Sequence, residues 1–391
     1  MTLIASTLNF KMPFILSDIL CTIEETSPET GQNVKEIAFK QKMYFIKNKT
    51  CIVFAGESPE IFIFLTVFKD WFQHREITKE NIDSFLQGYD LDKHFGESAF
   101  FITHIENLAK GRIFVNQFYY PRETNLVDRK EFVIKDGLWN IMEDPIYEEV
   151  SANGSGTSRF LNIVNESVKF ESQYPEGDFL RTVQTNTSLI ARLLALDLFS
   201  DYTSEDGWGG GFETAYYNGN KFEKIDDIAY LISHSQFDLS GDIGIPNPQI
   251  ISYYKYRNDI LYIVELRLRK PIIAETEIHF IFNYPFGEYS TTLFEVEGID
   301  EENIYKHELP KDLSFTTDKI AVGYALITPK NCIYNPAFFN IGPEVSINFE
   351  QGNKIEIVVD KKIMENIKKI SLEQFPRLMS SFPATSAKGL V

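Results

Sequence analysis

Cysteine is scarce in this chain, and the little there is lies far apart. Cys21, Cys51 and Cys332 are the only thiols among 391 residues, too few and too scattered for a disulfide framework or a cysteine zinc site. The six histidines form no His-x-x-x-His pair, so no metal site is indicated from that side either. Long apolar runs are also missing. The most apolar stretch, Ile61 to Phe68, is far too short to span a bilayer. The chain start lacks a basic segment leading into a long apolar run, and Lys11 and Pro13 interrupt what apolar character it has, so no export signal is read. Positive charge is the last deficit. Lys and Arg number 38 against 56 Asp and Glu, a formal charge of -18, whereas a phosphate-backbone partner needs clustered basic residues. These deficits leave a reduced cytoplasm as the expected compartment. They point to no membrane, no nucleic acid, and neither a metal nor an organic cofactor.

What the chain does hold is apolar and aromatic bulk. Hydrophobic residues make up 43%, with 33 Phe and 19 Tyr, a composition suited to a packed core rather than disorder. The length suggests two domains. Thr50 to Ala55 is a buried-strand pattern that stops at Gly56, and Ser58-Pro59 opens a helix whose stripe is Ile61, Phe64, Leu65, Phe68 and Phe72. A second helix begins at Thr78, with Ile82, Phe85, Leu86 and Tyr89 at helical spacing. Strands follow at 99–105, 112–120 and 131–134, then helices at 158–168 and 188–199, and a hairpin turned at Asn218-Gly219. Such blocks suggest sheets packed on each other with helix pairs outside. After a turn-rich linker at 240–248, strands dominate to Asp360 in a pattern fitting a small β-sandwich, closed by one helix at about 362–371. The expected division is therefore 2–237, 248–375 and a loose tail at 376–391.

The chain start is the candidate for chemistry. Methionine aminopeptidases remove Met1 when a small residue follows, and Thr2 qualifies. The new terminus would carry a hydroxyl and a free α-amine on one residue, a nucleophile with its own base. A strand from there, a turn near Asn9 to Met12, and a return strand ending on Asp18 would bring that acid back towards the start. Downstream, in order, come Lys42 before an apolar strand, the Ala55-Gly56 turn, Gly154-Ser155-Gly156, and Asp206 ahead of a glycine run.

With these features in this order, residues 2 to 235 resemble a proteasome β subunit and, more broadly, the threonine class of N-terminal nucleophile hydrolases. The resemblance implies an α+β fold, a four-layer αββα sandwich, here followed by a C-terminal all-β domain without a recognised counterpart. It implies a hydrolase, a threonine endopeptidase with Thr2 as nucleophile, Asp18 and Lys42 as the paired acid and ammonium, and the Gly56 N–H as oxyanion donor. Ser155 and Asp206 would fix the amine. In the same matching Phe54 floors the first substrate pocket, which would shorten it, and Cys21 and Lys40 line its sides. The implied partners are a polypeptide substrate, further copies in a homo-oligomeric ring or stacked rings, and an ATPase or regulator. Two positions depart from the pattern: Gly209 stands where many members have serine, and the early turn is Lys11-Met12-Pro13.

A free α-amine titrates near pH 8, and a neighbouring ammonium such as Lys42 would lower it further. Taken singly, each residue has a plainer role: Asp18 as a turn acid, Lys42 as a solvent-facing lysine, Gly56 as turn relief, Ser155 as a helix cap, Asp206 as a turn former. Cys21, Cys51 and Ser6 are the rival nucleophiles, without a base beside them in sequence. Two other functions compete with the peptidase: a catalytically inactive proteasome-like subunit whose C-terminal β domain binds or assembles, and cleavage of a small amide through the same nucleophile.

Overall fold

The computed structural model describes residues 3–7, 14–26, 33–56, 58–95, 98–121, 127–135, 138–141, 151–158, 160–161, 177–178, 183, 186–187, 189–191, 193–194, 208–236, 250–257, 259–268, 272–274, 278–283, 289–296, 316–317, 319–327, 333–334, 337–341, 345–350 and 354–359. The chain divides into two compact units. One comprises Met1–Asp226, Lys255–Ile263 and Phe294–Glu308, and the other holds the remainder.

In chain order, the first elements are β1 (Leu3–Thr7), β2 (Phe14–Asp18), β3 (Leu20–Thr26), β4 (Asn33–Phe39), β5 (Met43–Ile46) and β6 (Thr50–Ala55). Helices α1 (Ser58–Phe72), α2 (Lys79–Gly88) and α3 (Leu91–His94) follow. Then come β7 (Ala99–Asn107), β8 (Arg112–Tyr120), β9 (Val127–Lys135), β10 (Leu138–Ile141), β11 (Ser151–Gly154), β12 (Gly177–Asp178), β13 (Phe212–Tyr217) and β14 (Phe222–Lys224). They form a five-stranded sheet, β11-β1-β2-β13-β14, and a seven-stranded sheet, β12-β10-β9-β8-β7-β6-β5, with β3 and β4 as a separate ribbon.

One face of the seven-stranded sheet meets the five-stranded sheet. A buried polar chain marks that contact: Ser6 Oγ lies 3.2 Å from Thr103 Oγ1 and accepts from Gln117 Nε2 at 2.6 Å, while Tyr119 O–H donates to Gln117 Oε1 at 2.6 Å. Each polar atom in this chain finds a partner, which is what makes its burial tolerable. Ser6 is thereby committed to packing. The opposite face is aromatic. The α1 stripe read from the sequence buries Ile61, Phe64, Leu65, Phe68 and Phe72, and α2 adds Ile82, Phe85 and Leu86. Phe64 sits at the centre, its ring 5.1 Å from Phe95 and Phe100, 5.3 Å from Tyr89 and 5.6 Å from Phe85. Burial of a side chain this size is worth roughly 1.5–3 kcal/mol, so the cluster is a main source of this layer's stability. Helix ends are closed locally. Thr78 Oγ1 accepts from the Asn81 N–H at 3.2 Å at the α2 start, and the Lys47 ammonium donates to the carbonyls of Phe72 and Arg75 at 2.9 and 3.1 Å beyond the α1 end.

The remaining strands are β15 (Ile228–Gln236), β16 (Ile250–Arg257), β17 (Ile260–Leu268), β18 (Ile272–Ala274), β19 (Ile278–Asn283), β20 (Tyr289–Val296), β21 (Thr316–Thr317), β22 (Lys319–Ile327), β23 (Ile333–Tyr334), β24 (Ala337–Ile341), β25 (Val345–Glu350) and β26 (Lys354–Val359). One sheet runs β20-β17-β16-β15-β22-β23 with β24 also on β22, and another runs β18-β19-β26-β25-β21. β15 pairs antiparallel with β16 and parallel with β22, Ile228 opposite Lys319 through Gln236 opposite Ile327.

The expected four-layer αββα sandwich with a separate all-β domain is overturned. The chain is mostly antiparallel sheet and is not a sandwich with helical layers on both sides. The physical reason is the density of β-branched and aromatic residues, which keeps long stretches extended: β9 runs longer than the strand read at 131–134, β10 carries the sheet past it, and β15 joins strands from the β-rich second half. The stretches read as a second helix pair fall largely outside the described residues, as does the helix expected at 362–371. Among the described residues, no helix is long and apolar enough to cross a membrane.

At one end of the helix-covered face lies His104, with Nδ1 2.9 Å from Thr50 Oγ1 and Nε2 without a hydrogen-bond partner among the described residues. Burial pulls its pKa down to about 4, against the opposing pull of the nearby Glu106 carboxylate. The folded chain then binds a proton less readily than the unfolded one, so stability is complete above pH 6.5 and falls as the pH drops towards 4. Urea unfolding should therefore show the advantage of wild type over His104→Gln shrinking by about 3 kcal/mol between pH 6.5 and 4. A gap that stays constant over that range would refute this.

Candidate functional site

Asp18 ends β2, the middle strand of its sheet, where Ile4 faces Ser17 on one side and Phe212 faces Asp18 on the other. The carboxylate is fully buried. Its Oδ1 accepts from the Lys42 ammonium at 2.5 Å, and its Oδ2 accepts from the Gly209 N–H at 3.0 Å. Lys42 Nζ also donates to the Leu20 carbonyl at 2.5 Å. An acid, an ammonium, a backbone donor and a backbone acceptor thus close on one another away from water. A buried pair is tolerable only with such additional hydrogen bonds.

The backbone explains how they meet. Past Asp18, the Ile19 N–H donates to Gly211 O and the Leu20 N–H to Gly209 O, both at 3.1 Å, and the Lys40 N–H donates to Ile19 O at 2.8 Å. The strand end is laced between the glycine run and the segment that carries Lys42. Gly209, Gly210 and Gly211 have φ of 108°, 70° and 134°, values that favour glycine. A methyl group on Gly210 would also collide with the Phe39 ring. Gly209, which stands where serine was the expected residue, meets Asp18 through its main-chain N–H.

Lys42 stands just before β5. Its carbonyl accepts from the Phe54 N–H at 3.1 Å, and its own N–H donates to Glu213 Oε2 at 3.3 Å. Gly56 follows β6 with φ 120°, and a Cβ there would lie 2.5 Å from Ser98 Cα; only glycine fits. Ser98 Oγ in turn donates to Glu60 Oε2 at 2.6 Å in the first turn of α1. Ser155 is exposed in the turn after β11. Gly154, the last residue of β11, pairs with Leu3, and Gly156 packs against the indole of Trp208, the residue before Gly209. Thr2 and Asp206 lie outside the described residues.

The residues matched to a substrate pocket are placed differently from one another. Phe54 is fully buried among Phe64, Phe95 and Phe100, with ring separations of 5.8, 6.3 and 6.5 Å. It belongs to the aromatic core under the helices. Cys21 and Lys40 are half-buried, and Cys21 faces Ala38 across the β3–β4 ribbon. The other rival thiol, Cys51, is fully buried, and that burial pushes its pKa far up, which leaves it protonated and inert at neutral pH.

The sequence reading missed Glu213, Gln41 and Trp208. Glu213 is a buried acid inside Phe-Glu-Thr-Ala-Tyr-Tyr, an otherwise covered strand. An acid within a strand of otherwise uncharged residues, with Lys224 on the paired strand, was the available signal.

Comparison with known proteins adds little. No family model and no curated protein matches the chain. Among solved structures, an Anbu (Gly-1) mutant from Hyphomicrobium sp. strain MC1 aligns over 57% of this chain and 87% of its own at 9% identity and a TM-score of 0.30. The likeness is coarse and decides nothing about activity.

The Asp18–Lys42 pair has a measurable consequence irrespective of chemistry. Asp18→Asn leaves a buried ammonium without its counter-charge and should destabilise the protein by about 3–5 kcal/mol. Adding Lys42→Met should recover most of that loss. Equal destabilisation in the single and double variants, read from denaturant midpoints, would show that the pair is not buried as described.

Proposed function

We propose that this chain is a threonine-type peptidase that cleaves peptide bonds through an acyl-enzyme on Thr2 once Met1 has been removed. The observation that carries the reading is the buried Asp18–Lys42 pair, fixed by Gly209 and Leu20 at the end of the strand paired with β1. An ion pair sealed at that point is not needed to hold a sheet together, since strand pairing does that alone. An ammonium held there would lower the pKa of a neighbouring terminal amine.

In this mechanism the ammonium of Lys42 disfavours protonation of the Thr2 α-amine, and Asp18 keeps that ammonium charged and aimed. The neutral amine takes the hydroxyl proton as the Thr2 oxygen attacks the scissile carbonyl. The Gly56 N–H receives the developing oxyanion, a donor of a kind whose loss costs about 3 kcal/mol of transition-state stabilisation. The C–N bond breaks, the leaving amine takes the proton, and the acyl ester remains on Thr2. Water, activated by the same amine, then releases the second product. Ser155 and Asp206 complete the surroundings of the amine. Assembly into rings of identical subunits would confine such a site to unfolded or delivered substrates.

The test is covalent labelling with a peptide epoxyketone or a β-lactone, followed by intact mass and peptide mapping. Wild type lacking Met1 should carry one adduct on Thr2, Thr2→Ala should carry none, and Lys42→Met should label about 10²–10⁴-fold more slowly. An adduct that persists in Thr2→Ala removes the assignment. Native protein that retains Met1, or remains unlabelled without it, points to an inactive subunit that serves binding or assembly.

A further inference from the structure

Behind Lys42 lies a second buried carboxylate that the reaction does not use directly. Glu213 on β13 is almost fully covered, and four donors converge on it. Its Oε1 accepts from Lys224 Nζ at 2.7 Å, from the Tyr256 hydroxyl at 2.8 Å and from Gln41 Nε2 at 3.2 Å. Its Oε2 accepts from the Lys42 N–H at 3.3 Å. Two of these donors belong to the consecutive residues 41 and 42, so Glu213 grips the short segment that delivers Lys42 to Asp18. The Lys42 carbonyl is meanwhile held by the Phe54 N–H on β6 at 3.1 Å. With the peptide units on both sides of its Cα tied, the direction in which the Lys42 side chain leaves the backbone is set.

We propose that Glu213 is a positioning residue for Lys42, a role that rests on the peptidase reading, with Lys224 and Tyr256 serving to keep it in place. A carboxylate brought this close to Lys42 would rival Asp18 for the ammonium unless its own charge were answered. Lys224 answers it, with Nζ also 4.9 Å from the centre of the Tyr256 ring and 5.8 Å from that of Phe45. The result is two separately neutralised pairs, Asp18 with Lys42 and Glu213 with Lys224. The ammonium of Lys42 serves the site, while its backbone serves the second acid. Tyr256, held by its own N–H on Asp226 Oδ1 at 2.6 Å, is the member supplied from the β-rich half of the sequence.

The test compares wild type, Glu213→Gln, Glu213→Asp and Gln41→Ala. It follows hydrogen exchange of the Lys42 Nζ resonance in protein labelled with nitrogen-15 lysine, and separately the rate of β-lactone labelling. In Glu213→Gln, exchange at Lys42 Nζ should quicken at least about tenfold, and labelling should slow by about 10²-fold, the scale set by a displacement of about 1 Å at a site. Glu213→Asp keeps the charge but loses reach, so it should not restore either property. Gln41→Ala should move both readouts in the same direction by less, and it decides the matter alone if Glu213→Gln does not fold. An unchanged Lys42 resonance in a folded variant overturns the proposal. Wild type that labels nowhere defeats the peptidase reading instead, and the exchange measurement still judges whether Glu213 positions Lys42.

Discussion

An ammonium and a carboxylate 2.5 Å apart, both removed from solvent, constrain the first unit of this protein. Taking the two charges out of water costs several kcal/mol each, and their mutual attraction offsets this only when the remaining hydrogen-bonding positions are also met. Asp18 therefore needs the Gly209 N–H, and Lys42 needs the Leu20 carbonyl. Those two requirements fix the paths of three separate stretches of chain. The glycine run takes its positive φ values so that a main-chain N–H can reach the acid. The β3–β4 ribbon starts where it does because Ile19 and Leu20 are bonded to that run.

The rest of the first unit can be seen as support for this arrangement. Stacking of the two sheets through Ser6, Thr103 and Gln117 ties β1 to β7 and β8. The aromatic layer beneath α1 and α2 stiffens β6, the strand that holds the Lys42 carbonyl and leads into Gly56. Hydrophobic burial supplies the stability, and the polar network spends some of it on geometry. A protein with no use for the buried pair would gain by replacing it with apolar side chains of similar volume.

The sequence revealed these parts unevenly, for identifiable reasons. The α1 stripe and the capped start of α2 were legible because helical spacing and a hydroxyl before the first turn are local signals. Asp18, Lys42 and Gly56 stood out by their order along the chain, although the contact between Asp18 and Lys42 bridges 24 residues. The layer architecture was misread, because apolar runs of the same length suit a strand or a buried helix and only tertiary pairing chooses between them. Glu213 escaped notice because an isolated acid looks like a solvent-facing position until its donors, from residues 41 to 256, are assembled around it. Phe54 shows the converse: matching by motif gave it to a substrate pocket, whereas alternation along β6 turns it into the aromatic core.

The contact between Asp18 and Gly209 spans 191 residues, and that between Lys42 and Glu213 spans 171. During synthesis the acid and the lysine leave the ribosome long before the strand that encloses them. At about 5–20 residues per second the interval is on the order of tens of seconds. Throughout it both side chains remain hydrated, and the ion pair cannot be sealed. Any reactivity the site confers is therefore withheld from a nascent chain until the glycine run and β13 have been made.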